Sequence, residues 1–133
     1  MSKKYYTVML IDDNAIDNMI HTRILENSGV TEVIFNHHSA PSAIECLKNL
    51  VKIPIEGNRL LPAYIFLDLD MPLMNGFQFM AEFDKLDKTI KDGVKIVLLT
   101  ASQNSSDQVH ASKFANFHKY LNKPLSIQKI KDL

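Results

Sequence analysis

The chain has 133 residues, 46% hydrophobic and 23% charged, which is enough for one packed core and too little for two of ordinary size. Fifteen Lys and Arg against fifteen Asp and Glu leave no net charge, which excludes the basic field that direct nucleic-acid binding needs. A single cysteine, Cys46, excludes an internal disulfide, and no apolar run reaches the length of a membrane span or signal peptide; a single domain over residues 1–133, cytoplasmic and without membrane contact, is expected.

In chain order, Tyr5 to Ile11 is predicted as a buried strand. Ile16, Met19, Ile20, Ile24 and Leu25 recur at helical spacing and predict an apolar helix face that Gly29 ends. Val33 to Asn36 predicts a short second strand. The second helix is expected from near Pro41 to about Leu50, with Ser39 or Ser42 as N-cap and Glu45 able to close a capping box on Ser42. Val51 to Pro62, punctuated by Pro54, Gly57 and Pro62, reads as a surface loop.

Tyr64 to Leu67 is continuously apolar and predicts a central strand with Asp68 at its C-terminal end. Phe77, Met80, Ala81, Phe83 and Leu86 outline a third helix, and Asp92-Gly93 leads into the strand Lys95 to Leu99, closed by Thr100. A fourth helix over Ser105 to Phe114, a fifth strand over His118 to Leu121 and a last helix over Ile127 to Leu133, capped by Ser126, complete the series. Strands alternating with helices predict an α/β fold, a doubly wound five-stranded parallel sheet with helices on both faces. Met9, Met19 and Met80 fall at core-like positions. The five histidines, including His37-His38, lack metal-ligand spacing and read as surface or partly buried.

In such a sheet, ligands bind outside the C-terminal ends of the strands. Asp12 and Asp13 follow the first predicted strand, Asp68 ends the third, Thr100 the fourth, and Lys123 follows the fifth, so all converge on one rim. Crowded carboxylates raise each other's pKa unless a cation neutralises them, and carboxylate, carbonyl and water oxygens suit Mg²⁺. A carboxylate beside such a metal can attack phosphorus and form an aspartyl phosphate. Asp68 fits that role, with Lys123 and the Thr100 hydroxyl available to phosphate oxygens.

Taken together, Asp12-Asp13, "DLDMPLMNG" from Asp68 to Gly76, Thr100-Ala101 and "KYLNKP" ending at Lys123-Pro124 resemble the receiver domains of two-component response regulators, from Tyr5 to the C-terminus. The resemblance implies a flavodoxin-like strand order 2-1-3-4-5. It implies Asp68 as phosphoacceptor and Mg²⁺ (or Mn²⁺) held by the side chains of Asp13 and Asp68, by Asp12 through water and by the backbone carbonyl of Asp70. It further implies a cis Lys123-Pro124 peptide, and a switch pair, Thr100 and Tyr120, that reshapes the face of the fourth helix, fifth strand and last helix for a downstream target left open. The implied donor is a phosphohistidine on a sensor histidine kinase or phosphotransfer domain. The domain would not be an enzyme acting on others, only a catalyst of its own phosphorylation and slow dephosphorylation.

Three features depart from that pattern. The Val51 to Pro62 loop is long, Asn116-Phe117 stands where Gly-Ala is frequent, with Asn116 expected to serve a left-handed helix C-cap, and the chain stops about two turns into its last helix. Asp68-Leu69-Asp70 also resembles the Asp-x-Asp of haloacid-dehalogenase-type phosphatases. Against that alternative, the motif lies on the third strand and runs into Met71-Pro72, the chain is short for that core plus a cap, and a downstream acidic pair is missing. A purely structural interaction module would be expected to lack the acidic pair or the lysine, and both are present.

Overall fold

The computed structural model describes residues 4–53, 59–101 and 104–133. Strand β1 (Tyr5–Ile11) leads to helix α1 (Ala15–Ser28), β2 (Thr31–His37), α2 (Ala40–Leu50), β3 (Tyr64–Asp68), α3 (Gly76–Asp84) and a single turn, α4 (Lys88–Lys91). Then follow β4 (Lys95–Thr100), α5 (Ser105–Ala111), β5 (Phe117–Asn122) and α6 (Ile127–Lys131). The five strands are parallel in the order β2-β1-β3-β4-β5, as the sequence implied. None of the described helices is long and apolar enough to cross a membrane.

The period of two along each strand divides the core between the faces of the sheet. Met9, Ile11, Ile65, Leu67, Ile96 and Leu98 point to one face, where Ala43 and Leu47 of α2, Phe79, Met80 and Phe83 of α3 and Ala111 of α5 cover them. Val8, Leu10, Phe66, Val97 and Leu99 point to the other, under Leu25 of α1 and Ile130 of α6. Asp68 follows Phe66 in that alternation and therefore points to the α1/α6 side. Thr100 follows Leu98 and points to the α5 side.

Local chemistry explains most boundaries. Asn14 caps α1 by accepting from the Asp17 N–H, and Gly29 ends it at φ 68°, a left-handed position that glycine takes without a Cβ penalty. Ser39, not Ser42, caps α2, since its Oγ accepts the Ser42 N–H; Ser42 instead bonds His37 through its hydroxyl, so the expected Glu45 box does not form. A capping box does close at α3, between Asn75 and Gln78.

Several expectations are corrected. On α1, Ile16, Met19 and Ile20 are 66%, 53% and 41% exposed, while Asn18, His21 and Leu25 face the sheet. Met19 is thus not core, and His21 is fully buried. The second strand is longer than Val33 to Asn36, because its start pairs with Tyr5 of β1, and the fourth expected helix stops at Ala111. Asn116 is not left-handed: among the described non-glycine residues only Leu73 has a positive φ. Its amide instead donates to the carbonyls of Lys91 and Val94, tying the turn after α4 to the entry of β5. Of the expected surface loop, residues 54–58 lie outside the described residues.

Candidate functional site

Asp12 leaves β1 already buried, its N–H bonded to the His37 carbonyl and its Oδ1 accepting the Asn14 N–H at 2.9 Å. Asn18, one turn into α1, donates to the carbonyls of Asp12 (3.0 Å) and His37 (3.2 Å). The first of these bonds satisfies the Asp12 carbonyl, the second adds to the Asp12 N–H already on His37, and together they fix the acidic turn against the helix. The next strand over supplies Asp68, also buried, whose Oδ1 receives the Asp70 N–H at 3.4 Å.

Behind Asp68 the chain turns sharply. The Met74 N–H reaches the Pro72 carbonyl at 2.6 Å around Leu73 (φ 66°), and the Gly76 N–H reaches the Leu69 carbonyl at 2.9 Å. A Cβ on Gly76 would lie 3.0 Å from Leu69 Cα and 3.3 Å from the Asp68 carbonyl oxygen. Only glycine lets α3 start this close to the strand end that carries Asp68.

Carboxylate oxygens of Asp12, Asp13 and Asp68 lie within 4.8 Å of one another, with Asp13 the exposed member. Asp13 and Asp68 line a cleft of about 420 Å³ together with Asn14, Asp17, Asp70, Ala101 and Lys123, with Asp12 buried behind them. Lys123 enters from the end of β5, held by its N–H on the Thr100 carbonyl (2.7 Å), and the peptide between it and Pro124 is cis. Its ammonium stands 3.0 Å from Asp17, 3.1 Å from Asp12 and 3.2 Å from Asp68. Asp12 Oδ2 meets that cation as an ion pair without hydrogen-bond geometry.

One cation does not balance these acids. Burial, reinforced by the charge of Asp12 and only partly opposed by Lys123, pushes the Asp68 carboxyl up to about 6. For Lys123, burial favours the neutral amine, but the hydrogen bond to Asp17 and the charges of Asp68 and Asp12 outweigh it and raise its pKa above the ordinary lysine value. Two buried carboxylates and an exposed one, all oxygen donors with spare lone pairs, fit a hard divalent cation such as Mg²⁺. Asp70 lines the same cleft.

Thr100 is buried at the end of β4. Tyr120 pairs with Leu98 across the β4/β5 ladder while Thr100 pairs with Asn122, which makes Thr100 and Tyr120 diagonal neighbours on the α5 face. The Tyr120 ring packs against the core on that face, and its buried hydroxyl has no hydrogen-bond partner among the described residues.

Three site residues escaped the sequence reading. Asp17 reaches Lys123, Asn18 anchors the acidic turn, and His21 accepts the Leu125 N–H through Nε2 at 3.3 Å, binding α1 to the segment after Pro124. Burial holds the His21 pKa below its ordinary value, so the neutral ring that this acceptor role needs is favoured. The signal was present as a polar stripe, Asn14, Asn18 and His21, at helical spacing, which the apolar series from Ile16 to Leu25 obscured.

The response regulator receiver domain profile matches residues 8–133. A two-component response regulator from Cytophaga hutchinsonii superposes with a TM-score of 0.86 at 28% identity, covering 98% of this chain and 94% of that one. The receiver domain of the histidine kinase CKI1 from Arabidopsis thaliana, in complex with Mg²⁺ and BeF₃⁻, shares the fold with a TM-score of 0.80 at 23% identity, over 96% and 88% of the two chains. The peroxide stress-activated histidine kinase mak1 of Schizosaccharomyces pombe is 29% identical over 132 residues, 96% of this chain but only 7% of that protein's length. The chain spans between 7% and 13% of the four histidine kinases it matches. With a family profile spanning the described sheet and every strand end that builds the cleft, the chain belongs to the response regulator receiver domains of two-component signalling.

Proposed function

We propose that this receiver accepts a phosphoryl group on Asp68 from a phosphohistidine of a sensor histidine kinase or phosphotransfer domain. The observation that carries the reading is the meeting of the Asp12, Asp13 and Asp68 carboxylates within 4.8 Å, with the Lys123 ammonium 3.2 Å from Asp68. An Asp68 oxygen forms the new bond to phosphorus as the P–N bond breaks, and the electron pair of that bond stays on the imidazole nitrogen. Lys123 offers N–H donors to the incoming phosphoryl oxygens, and the Thr100 hydroxyl can take another after a small movement. Asp13 and Asp68, with the Asp70 carbonyl and Asp12 through water, would hold Mg²⁺ or Mn²⁺, which when bound neutralises charge on the phosphoryl oxygens.

The exposed Ile16, Met19 and Ile20 on α1, the helix whose first turn carries Asp17 into the cleft, support docking of the donor on that side. On the opposite face, Thr100 and Tyr120 form the switch pair: a Thr100 hydroxyl drawn to the phosphate lets the Tyr120 ring settle inward, and the α5/β5/α6 face changes for a downstream target. The domain turns over no external substrate beyond its own phosphorylation and slow dephosphorylation, acts as a single unit over residues 1–133, and works in the cytoplasm, where ordinary phosphodonor partners and a reduced Cys46 coexist.

Intact mass after incubation with Mg²⁺ and acetyl phosphate tests this. The wild type should gain one phosphoryl group and lose it slowly, and Asp68→Asn should gain none. Labelling that survives Asp68→Asn would refute the acceptor assignment, and steady release of inorganic phosphate without an adduct would favour a phosphatase.

A further inference from the structure

Lys123 is held by three carboxylates, and they are not equivalent. Asp12 and Asp68 are buried at the strand ends, their side chains 0% and 5% exposed, and each already accepts a backbone N–H. Asp17 sits on the first turn of α1 with a side chain 37% exposed, and it alone among the three accepts a hydrogen bond from the ammonium, at 3.0 Å. Its backbone is fixed, because the Asp17 N–H is taken by the Asn14 cap.

The ammonium stands within ion-pair distance of three carboxylates, and the hydrogen bond it donates to them goes to Asp17. If Lys123 turns its N–H groups to a phosphoryl group on Asp68, the hydrogen bond to Asp17 is the one it gives up. Asp68 loses its carboxylate charge to the new bond and its contact passes to the phosphoryl oxygens, whereas giving up Asp12 would leave a buried charge uncompensated, which is strongly unfavourable. Asp17 can be released at little cost, because water takes over its carboxylate.

We propose that Asp17 is a positioning residue that competes with the phosphoryl group for Lys123, and so restrains formation of the phosphorylated state. The inference rests on the phosphoacceptor reading of Asp68. Exchange of partners also returns a free carboxylate to the α1 surface, one turn from the exposed Ile20, so the helix that offers the donor face changes charge once transfer is complete.

The test is a titration of beryllofluoride, a phosphoryl mimic, into Mg²⁺-saturated protein, followed by ¹⁹F NMR, for the wild type, Asp17→Asn, Lys123→Gln and the double variant. Asp17→Asn should bind about three- to tenfold tighter than wild type, the expected size for removal of one competing charge-assisted bond. In the Lys123→Gln background the same change should have no effect. Equal or weaker binding by Asp17→Asn would overturn the proposal, as would tightening of the same size without Lys123, which would be charge repulsion alone.

Thermal unfolding gives a second readout that does not depend on the Lys123 variants. Asp17→Asn should lower the Tm of the free protein and leave that of the beryllofluoride-loaded protein unchanged, because the ion pair is already exchanged there. A loss of equal size in both states would make Asp17 merely structural. Absence of any beryllofluoride binding by the wild type would instead refute the phosphoacceptor reading itself.

Discussion

The Lys123 ammonium lies 3.2 Å from Asp68 Oδ1, yet the Asp68 carboxyl remains raised to about 6, because burial and the charge of Asp12 together outweigh the attraction of a cation that two other carboxylates share. A raised carboxyl pKa means that the fold favours the protonated acid. The stabilising contribution is therefore fully present below the ordinary value of 3.8 and is lost as pH rises through about 6. Without metal, Asp68→Asn should gain stability relative to wild type across that window, by up to about 3 kcal/mol at neutral pH at 1.36 kcal/mol per pKa unit. Thermal unfolding of both proteins from pH 4 to pH 8 measures it, and curves that stay parallel would show that the carboxylate carries no such penalty.

Metal binding should follow the same titration from the other side. Ligands must be deprotonated, so Mg²⁺ affinity should be level above the Asp68 value of about 6 and fall below it, approaching tenfold per pH unit. Calorimetric titration with Mg²⁺ at a series of pH values gives the profile, and Asp13→Asn should weaken binding throughout without moving the inflection.

Removal of the lysine should be severe. Lys123→Ala leaves Asp12 and Asp68 buried without their cation, and breaking a buried pair by deleting one partner costs about 3–5 kcal/mol. Mg²⁺ should restore a large part of that loss by supplying the missing positive charge. Urea unfolding with and without Mg²⁺ separates this from a loss of packing, which the ion would not restore.

Gly76→Ala sets helix propensity against space. Alanine is the better helix former by about 1 kcal/mol, but its Cβ would meet Leu69 Cα and the Asp68 carbonyl oxygen, backbone atoms with little freedom to move. Overpacking should win, with a net loss of about 1–3 kcal/mol in denaturant unfolding and slower phosphorylation by acetyl phosphate.

The strand ends were legible in the sequence because each carries a residue that a plain turn would not use: Asp12-Asp13, Asp68 and Thr100 follow apolar runs, and Lys123 is marked by the Pro124 after it. The parallel sheet was legible for the same reason, since β3 and β4 are buried on both faces and need no alternation. What α1 buries was not. Hydrophobic periodicity pointed Ile16, Met19 and Ile20 inward, whereas the carbonyl of Asp12 at the sheet rim requires a donor, and Asn18 supplies it while also bonding the His37 carbonyl. Hydrogen-bond demand at a strand end leaves no period in hydropathy. Asn116 was missed likewise: its two bonds to Lys91 and Val94 depend on α4, a single turn too short to announce itself.

The most direct measurement locates the phosphoryl group. Borohydride reduces an acyl phosphate on aspartate to homoserine, which marks the acceptor for peptide mass spectrometry. After exposure to acetyl phosphate and Mg²⁺, homoserine at position 68, dependent on the phosphodonor and absent from positions 12, 13 and 70, is the predicted result. A mark at any of those other aspartates, or a phosphorylated chain with position 68 unmarked, would contradict the account.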